Sequence, residues 1–268
     1  MSQSLIIGCG NLGKIIIDGF EKKEKTLIVY DKRKKTLEEL KKKKYKKIII
    51  QDKLKDIIWK NLKYVMICVK PKDANVLFKE INNFLTKNNI LISFAAGLLA
   101  KKICQMLGKQ FRIIRLMPNV FVKVEKSATG AYKNFSEEGI QKIIENDFKF
   151  FGFFKWFKRE DQMNFHTALY GGGPAYVCFF FQCLINISRK YGLESNSSRE
   201  MVLSLLHGTS KFLELENIDF TEVINKVASK GGTTEEALSF FNNNKKLQSF
   251  LEKGISMAER KSRFLSGE

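Results

Sequence analysis

The 268-residue sequence predicts a doubly wound α/β domain over 1–160 followed by an all-α domain over 161–268. Three observations carry this. Short, continuously apolar runs alternate with helical stretches through the first half; a glycine-rich hexapeptide, GCGNLG at 8–13, directly follows the first run; and beyond Asp161 the strand signal disappears. Continuous rather than alternating apolarity marks strands covered on both faces, as in a parallel sheet between two helical layers.

The elements follow in order. SLIIG (4–8), LIVY (27–30), KIII (47–50), YVMICV (64–69), ILIS (90–93) and RIIRL (112–116) have strand length and are bounded by glycine, proline or polar residues. Between the fourth and fifth, Ala74, Leu77, Phe78, Ile81, Phe84 and Leu85 recur at i, i+3, i+4, i+7 spacing, the stripe of a helix packed on the sheet. This is a βαβ series. SATGAY (127–132) and GFFKWF (152–157) read as further strands flanking a helix that Ser136 caps, with Glu137 and Glu138 in its first turn. Helices are expected near 162–191, 198–216, 219–228, 234–241 and 245–264. Among them YVCFFFQCLINI (176–187) is apolar nearly all round, which predicts burial at a domain or subunit interface. No internal repeat or disordered linker interrupts the chain.

Composition narrows the function classes. Hydrophobic residues make up 44% of the chain, as in a soluble globular protein, and the longest apolar run, 175–187, is interrupted by Gln182 and Asn186 and is too short to span a bilayer. No membrane association is expected. The start, MSQSLIIGCG, has no secretory pattern, so a cytoplasmic location is expected. The five cysteines form no C-x-x-C pair, and the two histidines, His166 and His207, lie in helical stretches, so neither a metal site, a disulfide framework nor a Ser-His-Asp relay is expected. The net charge of +19 comes from lysines spread along the whole chain, and the densest run, KKKKYKK at 41–47, reads as a solvated face. Without a helix-turn-helix, zinc-finger or RRM signature beside it, no nucleic-acid partner is expected.

GCGNLG has the form G-x-G-x-x-G at Gly8, Gly10 and Gly13, after a strand and opening a helix. Such glycines permit a tight turn and a close backbone approach to a pyrophosphate held at the helix N-terminus. A dinucleotide is therefore expected against Ile7, Gly8, Cys9, Gly10, Asn11, Leu12 and Gly13 of a Rossmann-type domain. Asp31 ends the second strand, from where a carboxylate commonly holds the ribose 2′-hydroxyl of NAD; Lys32 and Arg33 follow at once and suit a 2′-phosphate. VKPKD (69–73) and FAAG (94–97) lie at the carboxyl ends of the fourth and fifth strands, so Val69, Lys70, Pro71, Ala95 and Ala96 are expected to let backbone run close to the cofactor. RLMPN (115–119) brings Asn119 to the same edge, as a cofactor or substrate ligand or as a turn residue after Pro118. YGGGPAY (170–176) and SKGGTT (229–234) are glycine-rich turns beside helices of the second domain.

In this order and at these spacings, GCGNLG, VKPKD, FAAG, RLMPN, GGGPAY and SKGGTT resemble pyrroline-5-carboxylate reductase over nearly the whole chain. The resemblance implies reduction of 1-pyrroline-5-carboxylate to proline by hydride transfer from NAD(P)H, the last step of proline biosynthesis. It also implies a helical dimerisation domain, homodimers and assembly as far as decamers. By the same likeness Ser229, Gly231, Gly232, Thr233 and Thr234 bind the small-molecule substrate, and the Thr234 hydroxyl, the expected catalytic group, hydrogen-bonds the ring nitrogen. NADPH is favoured, read by Lys32 and Arg33, with Asp31 the argument for NADH. The substrate carries a carboxylate, and backbone N–H groups at a helix N-terminus make an anion site without a side-chain charge, which accounts for the uncharged GGTT; a capped helix start is the plain alternative. A cyclic imine is basic enough to be protonated near neutral pH and the iminium accepts hydride readily, so positioning and exclusion of water are the main requirements.

The chain departs from the family pattern at Tyr170, Gly172 and Lys230, where serine, a small polar residue and proline are usual, and ENIDFTEVINKV (216–227) lacks a usual proline. These positions surround the implied substrate pocket. A β-hydroxyacid dehydrogenase, the nearest rival enzyme, would carry a lysine in the stretch AYVCFFFQCLIN (175–186), which has none. A catalytically weak or inactive nucleotide-binding homologue is the other alternative, and turnover separates it from an enzyme.

Overall fold

The computed structural model describes residues 3–267. The α/β part runs β1 (Gln3–Ile7), α1 (Asn11–Lys22), β2 (Leu27–Tyr30), α2 (Lys34–Lys41), β3 (Ile48–Ile50), β4 (Leu62–Ile67), α3 (Pro71–Ile81), β5 (Ile90–Ser93), α4 (Ala100–Leu107), β6 (Arg112–Met117), β7 (Ser127–Lys133), α5 (Ile140–Asp147) and β8 (Gly152–Trp156). The helical part follows as α6 (Gln162–His166), α7 (Gly173–Lys190), α8 (Ser195–Glu216), α9 (Phe220–Val227), α10 (Thr233–Asn242) and α11 (Lys246–Ser266).

The eight strands form one sheet in the order β3-β2-β1-β4-β5-β6-β7-β8. β1 to β6 are parallel, β7 runs antiparallel to β6, and β8 is again parallel to β7. The chain moves outward from β1 to β3 and then returns to β4 on the other side of β1, so the winding reverses between β1 and β4. At such a point the helices diverge and leave a crevice at the carboxyl ends of the strands. Leu5 and Ile7 face one apolar layer with Phe78, Ile81 and Ile103, while Ile6 faces the other with Ile16, Ile17 and Phe20. Both faces are covered, which is why the strand sequences are apolar without alternation.

One helix start differs from the sequence expectation. Ser136 does not cap a helix; α5 begins at Ile140 after Gly139, whose φ of +73° is left-handed. The left-handed Gly139 breaks the helical path between Ser136 and Ile140, and Glu137 pairs with Arg112 at 3.1 Å.

By their internal contacts, the residues divide into Met1–Gly172 with Ala258–Glu268, and Gly173–Met257. Within the first unit the last turns of α11 pack on the α/β part: Ser262 Oγ donates to Asn164 Oδ1 at 2.9 Å, and Lys102 Nζ donates to the Ser266 carbonyl. In the second unit, Pro174, Ser198 and Val202 are buried, while Phe179, Phe180, Leu205, Leu215, Phe240 and Phe250 are exposed. The helical run Gln162–Lys190 is also long and apolar enough, by length and composition, to cross a membrane, which corrects the expectation that no segment reaches that length. Gln182 and Asn186 do not interrupt the helix, because Gln182 Nε2 donates to Asn186 Oδ1 one turn on, at 3.1 Å.

Candidate active site

The turn between β1 and α1 shows what each glycine of GCGNLG is for. Gly8 has φ +101°, and a β-carbon there would lie 2.9 Å from the Cys68 carbonyl, so the turn touches the end of β4. A β-carbon on Gly13 would lie 2.2 Å from the Gly8 oxygen, so α1 rests directly on the turn. Gly10 is different. It is the N-cap of α1 with no side-chain cap, and a β-carbon there would meet nothing within 4 Å. Among the described residues, no acceptor meets the N–H groups of Asn11, Leu12 or Gly13; the first bond into the helix is from Lys14 N–H to the Gly10 carbonyl, at 2.9 Å. Two glycines are thus required by packing, and the third leaves open space in front of bare N–H donors and the positive end of the helix dipole. A diphosphate fits this cradle.

Beside the cradle a cleft of about 520 Å³ lies along the carboxyl ends of β1, β2 and β4. Ile7, Gly8, Gly10, Lys32, Arg33, Val69 and Lys70, named from the sequence as cofactor ligands, line it together with Tyr30, Asp31, Cys68, Lys72, Asp73, Val76, Leu77 and Glu80. Sequence reasoning missed the α3 contribution. Its signal was present in the spacing, since positions 73, 76, 77 and 80 share one helical face.

Asp31 is buried, and its carboxylate points back into the protein. Oδ2 accepts from Cys9 N–H at 2.7 Å and from Arg33 Nη2 at 2.9 Å; Oδ1 accepts from Arg33 N–H at 2.8 Å and Arg33 Nε at 3.0 Å. Burial alone would push this carboxyl up, but the Arg33 side chain and the two backbone N–H groups outweigh it and hold its pKa below the ordinary value. Lys32 pairs with Asp73 at 3.1 Å. Burial, reinforced by the Asp31 charge, pushes the Cys9 thiol up to about 12, so it is a neutral packing group rather than a nucleophile.

The remaining predicted residues fall outside this cleft lining. Pro71 occupies the first turn of α3 after the extended Lys70. Ala95 is buried and Ala96 exposed in the turn after β5, and the left-handed Gly97 beside them lies against the backbone of Leu265 and Ser266. Asn119 behaves as a turn residue: its Oδ1 accepts from Phe121 N–H at 3.0 Å and its Nδ2 donates to the Tyr170 carbonyl at 3.0 Å. His166 is buried, with Nε2 2.9 Å from Gly130 N–H and 3.0 Å from the Met117 carbonyl; burial pushes its pKa down, opposed by the Met117 contact. It supports the sheet and does not form a catalytic relay.

In the second unit, SKGGTT forms a turn into α10. Gly231 is left-handed at φ +73°, Gly231 N–H donates to Glu235 Oε2 at 2.7 Å, and Gly232 N–H donates to the Ser229 carbonyl at 3.0 Å. The N-cap, Gly232, has no side-chain cap. Among the described residues, no acceptor meets the N–H groups of Thr233 or Thr234; Thr233 is exposed and Thr234 half-buried.

Residues 160–265 match the family model described as pyrroline-5-carboxylate reductase dimerisation, and residues 5–97 match that described as NADP oxidoreductase, coenzyme F420-dependent. A pyrroline-5-carboxylate reductase of Staphylococcus epidermidis is 30% identical over 184 residues, 68% of this chain and 68% of that protein. The chain belongs to the pyrroline-5-carboxylate reductase family. The Staphylococcus aureus reductase is 33% identical over 180 residues, and the chain spans 66% of the length of that relative. The fold agrees along the full length: a solved pyrroline-5-carboxylate reductase of Coxiella burnetii superposes with a TM-score of 0.89 at 25% identity over 98% of both chains. The Plasmodium falciparum pyrroline carboxylate reductase, solved with NADP bound, superposes with a TM-score of 0.78 at 23% identity over 98% of both chains. The region matched by the dimerisation model, 160–265, includes residues 173–257, where apolar side chains are left open.

Proposed function

We propose that the protein reduces 1-pyrroline-5-carboxylate to proline with NADPH, completing proline biosynthesis, as a cytoplasmic homo-oligomer of dimers. One observation carries this reading. Two helix starts at glycine-rich turns have a glycine N-cap and no side-chain cap, one at Gly10 beside the cleft and one at Gly232, where, among the described residues, the Thr233 and Thr234 N–H groups stay open while the Glu235 carboxylate takes the Gly231 N–H. The first is suited to a pyrophosphate and the second to the carboxylate of a small substrate.

The bound cofactor supplies the hydride. The protein's work is then positional. Asn11, Leu12 and Gly13 hold the diphosphate through backbone N–H groups, and the Thr233 and Thr234 N–H groups hold the substrate carboxylate. The Thr234 hydroxyl accepts a hydrogen bond from the ring N–H of the iminium, which orients the ring in its site. Because the iminium is already protonated, no side chain need act as a strong acid; among the described residues lining the cleft there is no histidine, and burial pushes the Cys68 thiol up. The four cations around the cleft, Lys32, Arg33, Lys70 and Lys72, and the saturated carboxylate of Asp31 support NADPH over NADH.

A second reading has one observation in its favour. Tyr170, at a position where serine is usual, keeps its ring against His166 at a centroid distance of 5.4 Å, and the glycines 171–173 after it run inside the helical stretch Gln162–Lys190 rather than forming the expected turn, which suits a fold retained without full activity. Turnover decides. Purified protein is expected to oxidise NADPH only when the imine is present, and Thr234→Ala to lower kcat/KM by about 10- to 100-fold, the worth of one substrate hydrogen bond. Cofactor binding without turnover on this imine or its ring analogues would leave the inactive-homologue reading.

A further inference from the structure

We propose that Arg33 selects the cofactor by masking Asp31, covering the carboxylate that would otherwise hold the ribose 2′-hydroxyl of NADH. The inference rests on the nicotinamide-dinucleotide reading above and deepens it.

An ionised carboxylate has two oxygens and about four acceptor directions. On Asp31 all four are taken: Arg33 fills three through its backbone N–H, Nε and Nη2, and Cys9 N–H fills the fourth. The Cys9 bond reaches across 22 residues to the glycine turn, so the carboxylate is tied at both ends and cannot swing out toward a ribose. Asp31 is 4% exposed at its side chain, whereas Arg33 is 57% exposed, and both line the cleft. The group that a ribose meets at this point is therefore the guanidinium. Among the described residues no acceptor meets Arg33 Nη1, which leaves one amino group of the fork for a 2′-phosphate while the other holds Asp31.

A mask makes a different forecast from a phosphate contact. If Arg33 only touched the phosphate, its removal would weaken binding of 2′-phosphorylated ligands and leave others unchanged. As a mask, its removal also uncovers the two acceptor positions held by Nε and Nη2, the backbone N–H of residue 33 staying in place, and a bare negative charge. Ligands with a free 2′-hydroxyl then gain a partner, and ligands with a 2′-phosphate meet a like charge.

The test uses adenosine 2′,5′-bisphosphate and adenosine 5′-monophosphate as probes, with dissociation constants from calorimetry on the full-length protein. Arg33→Ala is expected to weaken the bisphosphate by about 10- to 100-fold and to tighten the monophosphate several-fold. Adding Asp31→Asn to Arg33→Ala is expected to recover part of the bisphosphate affinity by removing the exposed charge. Arg33→Lys, which keeps a charge without the planar fork, is expected to fall between wild type and Arg33→Ala for both probes and guards against loss of the alanine variant to misfolding. Unchanged monophosphate affinity in Arg33→Ala, or no recovery on adding Asp31→Asn, would overturn the mask. Equal affinity of the wild type for both probes with the Arg33→Ala shift intact would overturn the NADPH preference and leave the mask standing. Failure of the wild type to bind either probe would overturn both.

Discussion

Two phenylalanine clusters of nearly the same sequence lie in opposite surroundings. FKFF at 148–151 is packed, with Phe148 and Phe151 fully buried and their ring centroids 5.2 Å apart. FFF at 179–181 is open, with Phe179 72% and Phe180 53% exposed. The first cluster belongs to a unit with its own two-layer core; the second belongs to residues 173–257, where three side chains are buried in a described stretch of four helices and most of a fifth. Apolar sequence predicts that a side chain will be buried. It does not say whether the same chain or another copy does the burying.

Three measurements bear on that contrast. The largest effect is expected at Phe151, where Phe151→Ala should cost about 3–5 kcal/mol in urea unfolding, since it opens a cavity inside a closed aromatic cluster. A cost within the scatter of surface substitutions, about 0.5 kcal/mol, would remove the difference between the two clusters. Next, Phe179→Asp should leave the α/β core folded while moving the protein to a smaller species by light scattering, with stability that rises with concentration in the wild type and less steeply in the variant. An unchanged mass would place the oligomer contact elsewhere on the chain.

The smallest effect sharpens the description of the packed unit. Burial pushes the pKa of His166 below its ordinary 6.5, with the Met117 carbonyl opposing. The unfolded chain therefore takes up the proton first, so the contribution of neutral His166 is present above that value and is lost as pH falls below it. Urea midpoints should decline from about pH 7.5 to about pH 5.5 in the wild type and decline less in His166→Gln. Identical slopes would show that His166 takes up its proton equally in the folded and unfolded states.

Much of the α/β part was legible because its signals are local. Backbone geometry and packing at a strand-helix junction leave room only for glycine at Gly8 and Gly13, and Pro71 marks a first helical turn, so GCGNLG and VKPKD could be read residue by residue. The same holds for the apolar stripe of α3 and for the uncapped start of α10. Ser136 misled because the helix starts only after Gly139, whose left-handed φ of +73° separates Ser136 from α5.

By itself, then, the sequence determined the order of strands and helices and the glycine starts of α1 and α10, all of which depend on neighbours within a few positions. The tertiary structure decided where the functional groups point. Asp31 stands where a ribose ligand is expected, yet its direction is set by Cys9 from another turn and by the fold-back of Arg33. Asn119 stands at the carboxyl edge of the sheet, yet its amide is used on Phe121 and Tyr170. The physical reason is that a polar side chain turns toward the partners that best satisfy it, and in each case one of these, Cys9 for Asp31 and Tyr170 for Asn119, is brought there by packing of a segment distant in sequence.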